Sequence, residues 1–411
     1  MGHQLEHPQL VRRMNLFGDV VGDPSRIVNL DADEMLSVAR AMTELDDLGE
    51  GDWPGWEESY RQTVAALDHD ADLHVLGRVM TRGEILRTTA TWLQLQQLWN
   101  KDSAVRTEPV DAPLFVVGPP RTGTTILYEL LALDPQLRAP LAWELLHPLR
   151  DLPVERRQEL GECESELWAD IHPEFMTMHE LASNLPSECI HVTAYDFAAP
   201  YWSMLHDSAN FMRWQLEHLE TIGRGYRVHR RMLQTLQQGE PPRRWLLKSA
   251  YHLSMLPALF DEYPDAQVIH THRDPRKFMP SLVSILAVLR FIRSDRVDIA
   301  TRGRGMEAAY KMILERVITQ RSDGSVPSHR IVDSHFTDLM SDPVAALRLI
   351  YDQLQLEWPV GHDAVITTYL EAKPKGVHGA HVYTFDDVGL DEEHVRATFA
   401  SYVAHYGLRE E

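Results

Sequence analysis

From residue 114 onward, short apolar runs alternate with helical stretches, and this alternation restricts the chain more than any other feature. "LFVV" at 114–117 precedes "TILYELLAL", and "RWLL" at 244–247 precedes "LSMLPALF". "QVIHT" at 267–271 precedes "MPSLVSILAVL", and "RIVDS" at 330–334 precedes "PVAALRLIYDQL". Strand followed by helix, repeated, is the pattern of βαβ units. It predicts an α/β fold with a parallel sheet flanked by helices. Right-handed crossovers would bring the loops after the strands to one edge of that sheet.

The flanking sequence has a different texture. Residues 1–108 read as a helical N-terminal region. Asp31 with Glu34 resembles a capping box ahead of Met35, Val38, Ala39 and Met42, and Thr81 with Glu84 repeats the signal before "ILRTTATWLQLQQLW". Residues 109–411 read as the α/β unit, with a helical, aromatic-rich insert at about 150–240 that contains Tyr195, Phe197, Tyr201, Trp202, Phe211 and Trp214. Those aromatics suit either plain core or the lining of an apolar pocket.

Charge narrows the function classes. Acidic residues outnumber basic ones 61 to 40, for a net charge of −21. A field of that sign repels nucleic acid and anionic membrane, so an anionic ligand needs a local island of positive charge. The longest apolar run, "SLVSILAVLRFI" at 281–292, falls short of the roughly 20 residues of a membrane span and contains Arg290. The N-terminus lacks an apolar signal core, so the expected location is cytoplasmic. The two cysteines, Cys163 and Cys189, make neither a disulfide framework nor a metal-type pair and read as ordinary thiols.

The first strand runs into "GPPRTGTT", where Gly118 and Gly123 keep the spacing of the ATP-binding P-loop but Thr124 stands in place of its lysine. Thr122, Gly123, Thr124 and Thr125 would present backbone N–H groups at a helix N-terminus, a geometry that binds phosphate. Arg121 supplies a planar cation suited to a tetrahedral oxyanion. In "HTHRDPRKFMPSLVS", Arg273 ends a strand and Ser281 follows eight residues later on a helix, a pair that could hold a second phosphate. Lys248, one of six lysines, ends a further strand on the same predicted edge. Lys373, Lys375, Gly376 and Gly379 form a basic, glycine-containing loop that could close over an anion, while His378 and His381 lack further ligands for a metal.

Together these residues resemble the sulfotransferases that use 3′-phosphoadenosine 5′-phosphosulfate (PAPS). The resemblance runs from about 110 to 390. It implies that "PPRTGTT" is the phosphosulfate loop, that Arg273 and Ser281 hold the 3′-phosphate, and that Lys375 and Gly376 belong to the C-terminal Lys-Gly loop, although the usual tryptophan is missing. No metal is implied. An arginine in the loop is similar to tyrosylprotein sulfotransferases. That likeness implies Glu144, in "LAWELLHP", as general base and Lys248, 25 residues before Arg273, as an assisting cation beside Arg121. His147, His191 and His252 are rival bases. The expected acceptor is a small, apolar hydroxylated molecule rather than a peptide. Two other readings stand beside this one. A P-loop kinase or NTPase would need a Walker-B carboxylate, for which Asp333 is the best candidate; a non-catalytic protein would bind adenosine bisphosphate without turnover.

Overall fold

The computed structural model describes residues 5–180, 182–373 and 383–411. Five parallel strands form the sheet: β1 (Leu114–Val117), β2 (Leu137–Arg138), β3 (Arg244–Lys248), β4 (Gln267–His272) and β5 (Ile331–His335), in the order β2-β3-β1-β4-β5. The four strands expected from the apolar runs are present within a residue of their expected bounds. β2 is the exception. Two residues are too short to give a period-2 signal.

β1 is central and fully buried, so both of its faces must be covered by apolar side chains. Alternation divides the strand. Leu114 and Val116 face a cluster with Leu127, Leu131, Leu347 and Ile350, from the helices Thr124–Leu131 and Pro343–Leu354. Phe115 and Val117 face the larger cluster, which includes Val228 and Met232 of the helix Thr221–Gln237 and Leu282 of the helix Pro275–Phe291. Register aligns Leu114 with Leu246 of β3 and with Gln267 of β4, so the chain leaves all three strands on one edge.

The larger cluster continues into the N-terminal helices. Trp56 donates from Nε1 to the Tyr195 carbonyl at 2.8 Å, and Thr63 Oγ1 donates to the Phe197 carbonyl at 2.7 Å. Tyr195, Phe197, Tyr201, Trp202 and Phe211 are all buried in this core. Of the two uses open to these aromatics, core packing is the one observed.

Local start signals met mixed outcomes. Asp31 does cap the helix Ala32–Thr43, accepting from Glu34 N–H at 2.8 Å. The helix expected to start at Thr81 starts earlier, as Val75–Lys101, where His74 Nδ1 accepts from Gly77 N–H at 2.8 Å. Thr81 lies inside that helix, with its hydroxyl 2.9 Å from His206 Nε2. Glu84, its supposed capping partner, pairs instead with buried Arg293 at 2.5 Å. Tertiary ion pairing overrides the local capping preference there.

Candidate active site

The loop between β1 and the helix Thr124–Leu131 is shaped by close approach. Gly118 has φ 153°, and a Cβ there would meet Thr271 Oγ1 at 2.1 Å and the Thr271 carbonyl at 2.8 Å. Gly123 has φ 89°, with Phe336 Cδ2 at 2.8 Å from its would-be Cβ. Arg121 has φ 71°, unusual for a residue with a side chain and the kind of backbone strain found at functional sites. Thr122 is buried, with its hydroxyl bonded to the Pro119 carbonyl at 2.7 Å and to Thr271 Oγ1 at 2.6 Å. The N-cap of the following helix is Gly123, which has no side chain to satisfy the first-turn N–H groups. Those donors and the positive end of the helix dipole form an anion cradle.

Three cations meet at this loop, Arg121 from within it and Lys248 and Arg273 from the ends of β3 and β4. Arg121 Nε donates to Ser281 Oγ at 3.0 Å, and Nη1 to the Met178 carbonyl at 2.8 Å. Arg273 Nη1 donates to the Arg121 carbonyl at 3.0 Å. Its guanidinium lies 3.9 Å from the Phe336 ring centroid and meets the Glu411 carboxylate at 3.0 Å. Lys248 Nζ donates to Thr125 Oγ1 at 3.0 Å. Burial pushes the Arg121 pKa down, Tyr383 opposes that, and nearby Arg273 adds to it. Arg273 already has the Glu411 carboxylate as counter-ion, while the Arg121 guanidinium donates to the uncharged Ser281 hydroxyl and Met178 carbonyl.

The structure therefore brings together Arg121, Thr122, Gly123, Thr124, Thr125, Lys248, Arg273 and Ser281. Lys375 and Gly376 lie outside the described residues, as do His378 and His381. Glu144 occupies a different setting. It sits in the first turn of the short helix Ala142–Leu146, where Oε2 accepts from Leu141 N–H at 2.9 Å and Oε1 from Arg138 Nη2 at 3.1 Å. Arg138 in turn stacks 4.5 Å from the centroid of Trp245.

The carboxylate that touches Lys248 is Glu188, with Oε1 at 2.6 Å from Nζ and Oε2 accepting from Ser249 Oγ at 3.2 Å. Burial would raise its pKa, but Lys248 and His179 more than offset this, and the net direction is down. His179 feels the charges of Lys248, Glu188 and Arg121. Burial first, then Lys248, holds its pKa down at about 4, with Glu188 opposing. Sequence reading missed both residues, because "HELASNLPSECIHV" has neither helical nor strand periodicity and no motif spacing. Of the rival histidines, His147 Nε2 pairs with Glu164 at 3.2 Å and His252 lies in the core against Phe115.

The Walker-B candidate is engaged elsewhere. Asp333 accepts from Arg321 at 2.6 and 2.9 Å and contacts His272 Nε2 at 2.9 Å.

A parallel sheet whose loop edge holds a lysine-free glycine turn and converging cations defines a group-transfer enzyme of the P-loop-like kind. The chain belongs to the sulfotransferase family, whose sequence model matches residues 113–360. It is 26 % identical over 275 residues to the omega-hydroxy-beta-dihydromenaquinone-9 sulfotransferase Stf3 of Mycobacterium bovis, covering 63 % of this chain and 68 % of that protein. Among solved structures it resembles sulfotransferase STF1 from Mycobacterium tuberculosis H37Rv, with a TM-score of 0.76 and 26 % identity over 90 % of this chain and 98 % of the other. Sulfotransferase STF9 from Mycobacterium avium shares the fold with a TM-score of 0.80 at 24 % identity, over 92 % and 97 % of the two chains. Enzymes of this family generally draw their sulfuryl group from PAPS. Among the described residues, no helix is long and apolar enough to cross a membrane.

Proposed function

We propose that this enzyme transfers the sulfuryl group of PAPS to a hydroxyl of a small, apolar acceptor. The observation that carries this reading is the convergence of Arg121, Lys248 and Arg273 on the loop Gly118–Thr125. The first-turn N–H groups at Thr124 and Thr125 suit the 5′-phosphate. Arg273, bonded to the Arg121 carbonyl and paired with the Glu411 carboxylate, suits the 3′-phosphate together with Ser281, which bonds Arg121. In the reaction the acceptor oxygen bonds to sulfur, the bond from sulfur to the phosphate oxygen breaks, and adenosine 3′,5′-bisphosphate leaves. Lys248 and Arg121 offset the charge that grows on the sulfonate and leaving oxygens.

For the acceptor proton, the geometry favours Glu188, which bonds Lys248, itself bonded to Thr125 of the loop. Glu144 is the second reading, carried by the family resemblance; both carboxylates have both oxygens engaged, but the partners of Glu144 are Leu141 and Arg138, whereas Glu188 is tied through Lys248 to the loop. An apolar acceptor agrees with the relative Stf3, whose name places its reaction on a hydroxylated menaquinone.

Transfer of label from radiolabelled PAPS to hydroxylated and phenolic acceptors tests the reaction. Sulfated product is expected without added magnesium or ATP. Tight binding of adenosine bisphosphate with no product from any acceptor would favour the non-catalytic reading.

A further inference from the structure

On the core side of the sheet, directly after Glu188 in the chain, three potential metal ligands converge. Cys189, His229 and His252 each offer one ligand atom, and these atoms lie within 4.8 Å of one another. All three residues are 0 % exposed. They come from three segments: Cys189 ahead of the short helix Ile190–Thr193, His229 from the helix Thr221–Gln237, and His252 from the turn after β3.

The imidazoles are oriented in the manner of metal ligands. His229 Nδ1 lies 2.7 Å from the Tyr263 hydroxyl, and His252 Nδ1 lies 2.8 Å from the Tyr226 hydroxyl. Both Nε2 atoms are buried with no hydrogen-bond partner. An outer nitrogen held by a hydrogen bond, with the inner one left for the ion, is the usual arrangement around ligating histidines. Two other groupings among the described residues offer less. His272 of one is bonded at both ring nitrogens, and Asp295 of the other already pairs with His7 at 2.9 Å.

We propose that Cys189, His229 and His252 bind one thiophilic d10 metal ion, zinc(II) or copper(I). The thiol gives up its proton to solvent as sulfur bonds the ion. The two Nε2 lone pairs complete the set, and each Nδ1–H donates to its tyrosine oxygen. At about 2.3 Å to sulfur and about 2.0–2.1 Å to nitrogen, a central ion would draw these ligand atoms, which lie within 4.8 Å of one another, closer together. Copper(I) with one thiolate is neutral and stable with three ligands in a dry core. Zinc(II) would add a water as fourth ligand.

The ion would act as a positioning element for the cleft above it. Cys189 N–H donates to the Lys248 carbonyl at 2.9 Å, and His252 lies four residues beyond Lys248. One ion thus ties together the segments that carry Glu188 and Lys248. This departs from the expectation of two ordinary thiols and no metal.

Elemental analysis and X-ray absorption of the purified full-length chain, after exposure to zinc and separately to copper(I), test the site. About one ion per chain is expected, with a shell of one sulfur and two nitrogens for copper(I) and one further oxygen for zinc, and the absorption edge distinguishes the two metals. Cobalt(II) should give a thiolate charge-transfer band that Cys189→Ser abolishes. Tyr226→Phe and Tyr263→Phe, which keep the rings, should each weaken zinc binding by about 10–100-fold. A folded wild-type chain that takes up neither ion, or a bound ion without sulfur in its shell, would overturn the proposal. The wild-type spectra decide the matter even where Cys189→Ser does not fold.

Discussion

Lys248 Nζ stands 2.6 Å from Glu188 Oε1. The same ammonium reaches Thr125 Oγ1 at 3.0 Å, so it links a carboxylate to the first turn of the loop helix. Removing the cation should therefore act twice. Lys248→Met is expected to lower turnover by about 10²–10³-fold, by analogy with the loss of one oxyanion donor. It also leaves Glu188 without its cation. The stability cost should be about 1–3 kcal/mol, below the ~3–5 of a wholly buried pair, because the Glu188 side chain is 28 % exposed. Chemical denaturation and steady-state kinetics on one preparation check both effects.

The two candidate bases separate in a paired experiment. Glu188→Gln should reduce kcat by about 10²–10⁴-fold with saturating donor. Glu144→Gln keeps an acceptor for Leu141 N–H but weakens the bond to Arg138, and should cost about 0.5–1 kcal/mol of stability with turnover little changed. The opposite ranking of the two variants in kcat would return the base role to Glu144.

Gly118 offers a test of the cradle itself. With Thr271 Oγ1 at 2.1 Å from a would-be Cβ, Gly118→Ala must displace either the loop or β4. The backbone carbonyl of Thr271, at 2.8 Å, cannot swing away. Donor binding is expected to fall at least about tenfold, with a loss of stability of about 1–3 kcal/mol from overpacking. Differential scanning fluorimetry with and without adenosine bisphosphate measures both.

Buried neutral histidines set an acid limit on stability. His206 is enclosed between the Trp202 carbonyl and Thr81, and burial pushes its pKa well below the usual value. For His272, burial lowers the pKa to about 4 despite the hydrogen bond to Asp333. The unfolded chain protonates these groups near pH 6.5, whereas the folded protein does so only at lower pH. Between those values the unfolded state binds more protons, so stability rises with pH there. It should be full above about pH 7 and fall by about 1.4 kcal/mol per pH unit per histidine as pH drops from about 6.5 toward 4. Urea midpoints at several pH values check the slope, and His206→Gln should remove one histidine's share of it.

The sequence carries the sheet and the loop more plainly than the remainder of the site. β1 and β3 hold runs of apolar residues, β4 and β5 are shorter apolar pairs made legible by the helical stretch that follows each, and Gly118, Gly123 and Arg121 sit at the fixed spacing of one local turn. Arg273 and Lys248 were legible because they end strands, and parallel strands end on one edge. Glu188 and His179 were not, since they sit in irregular chain whose position depends on packing against β3. The group Cys189, His229 and His252 was hidden for a similar reason. Its members are separated by 40 and 23 residues and meet only when the helix Thr221–Gln237 packs against the helices Ile190–Thr193 and Leu256–Glu262. Thr81 shows the converse failure, where a local capping pattern lost to the pairing of Glu84 with Arg293.

The central claim is that the Arg121, Lys248 and Arg273 cluster recognises an adenine nucleotide phosphorylated at both the 3′ and 5′ positions. Calorimetric titration of wild type and Arg273→Ala with adenosine 3′,5′-bisphosphate, and with adenosine 5′-phosphate as control, tests it most directly. The account predicts that wild type prefers the bisphosphate by at least about tenfold, or about 1.4 kcal/mol, and that Arg273→Ala loses that preference. Equal affinity of wild type for the two nucleotides would contradict it.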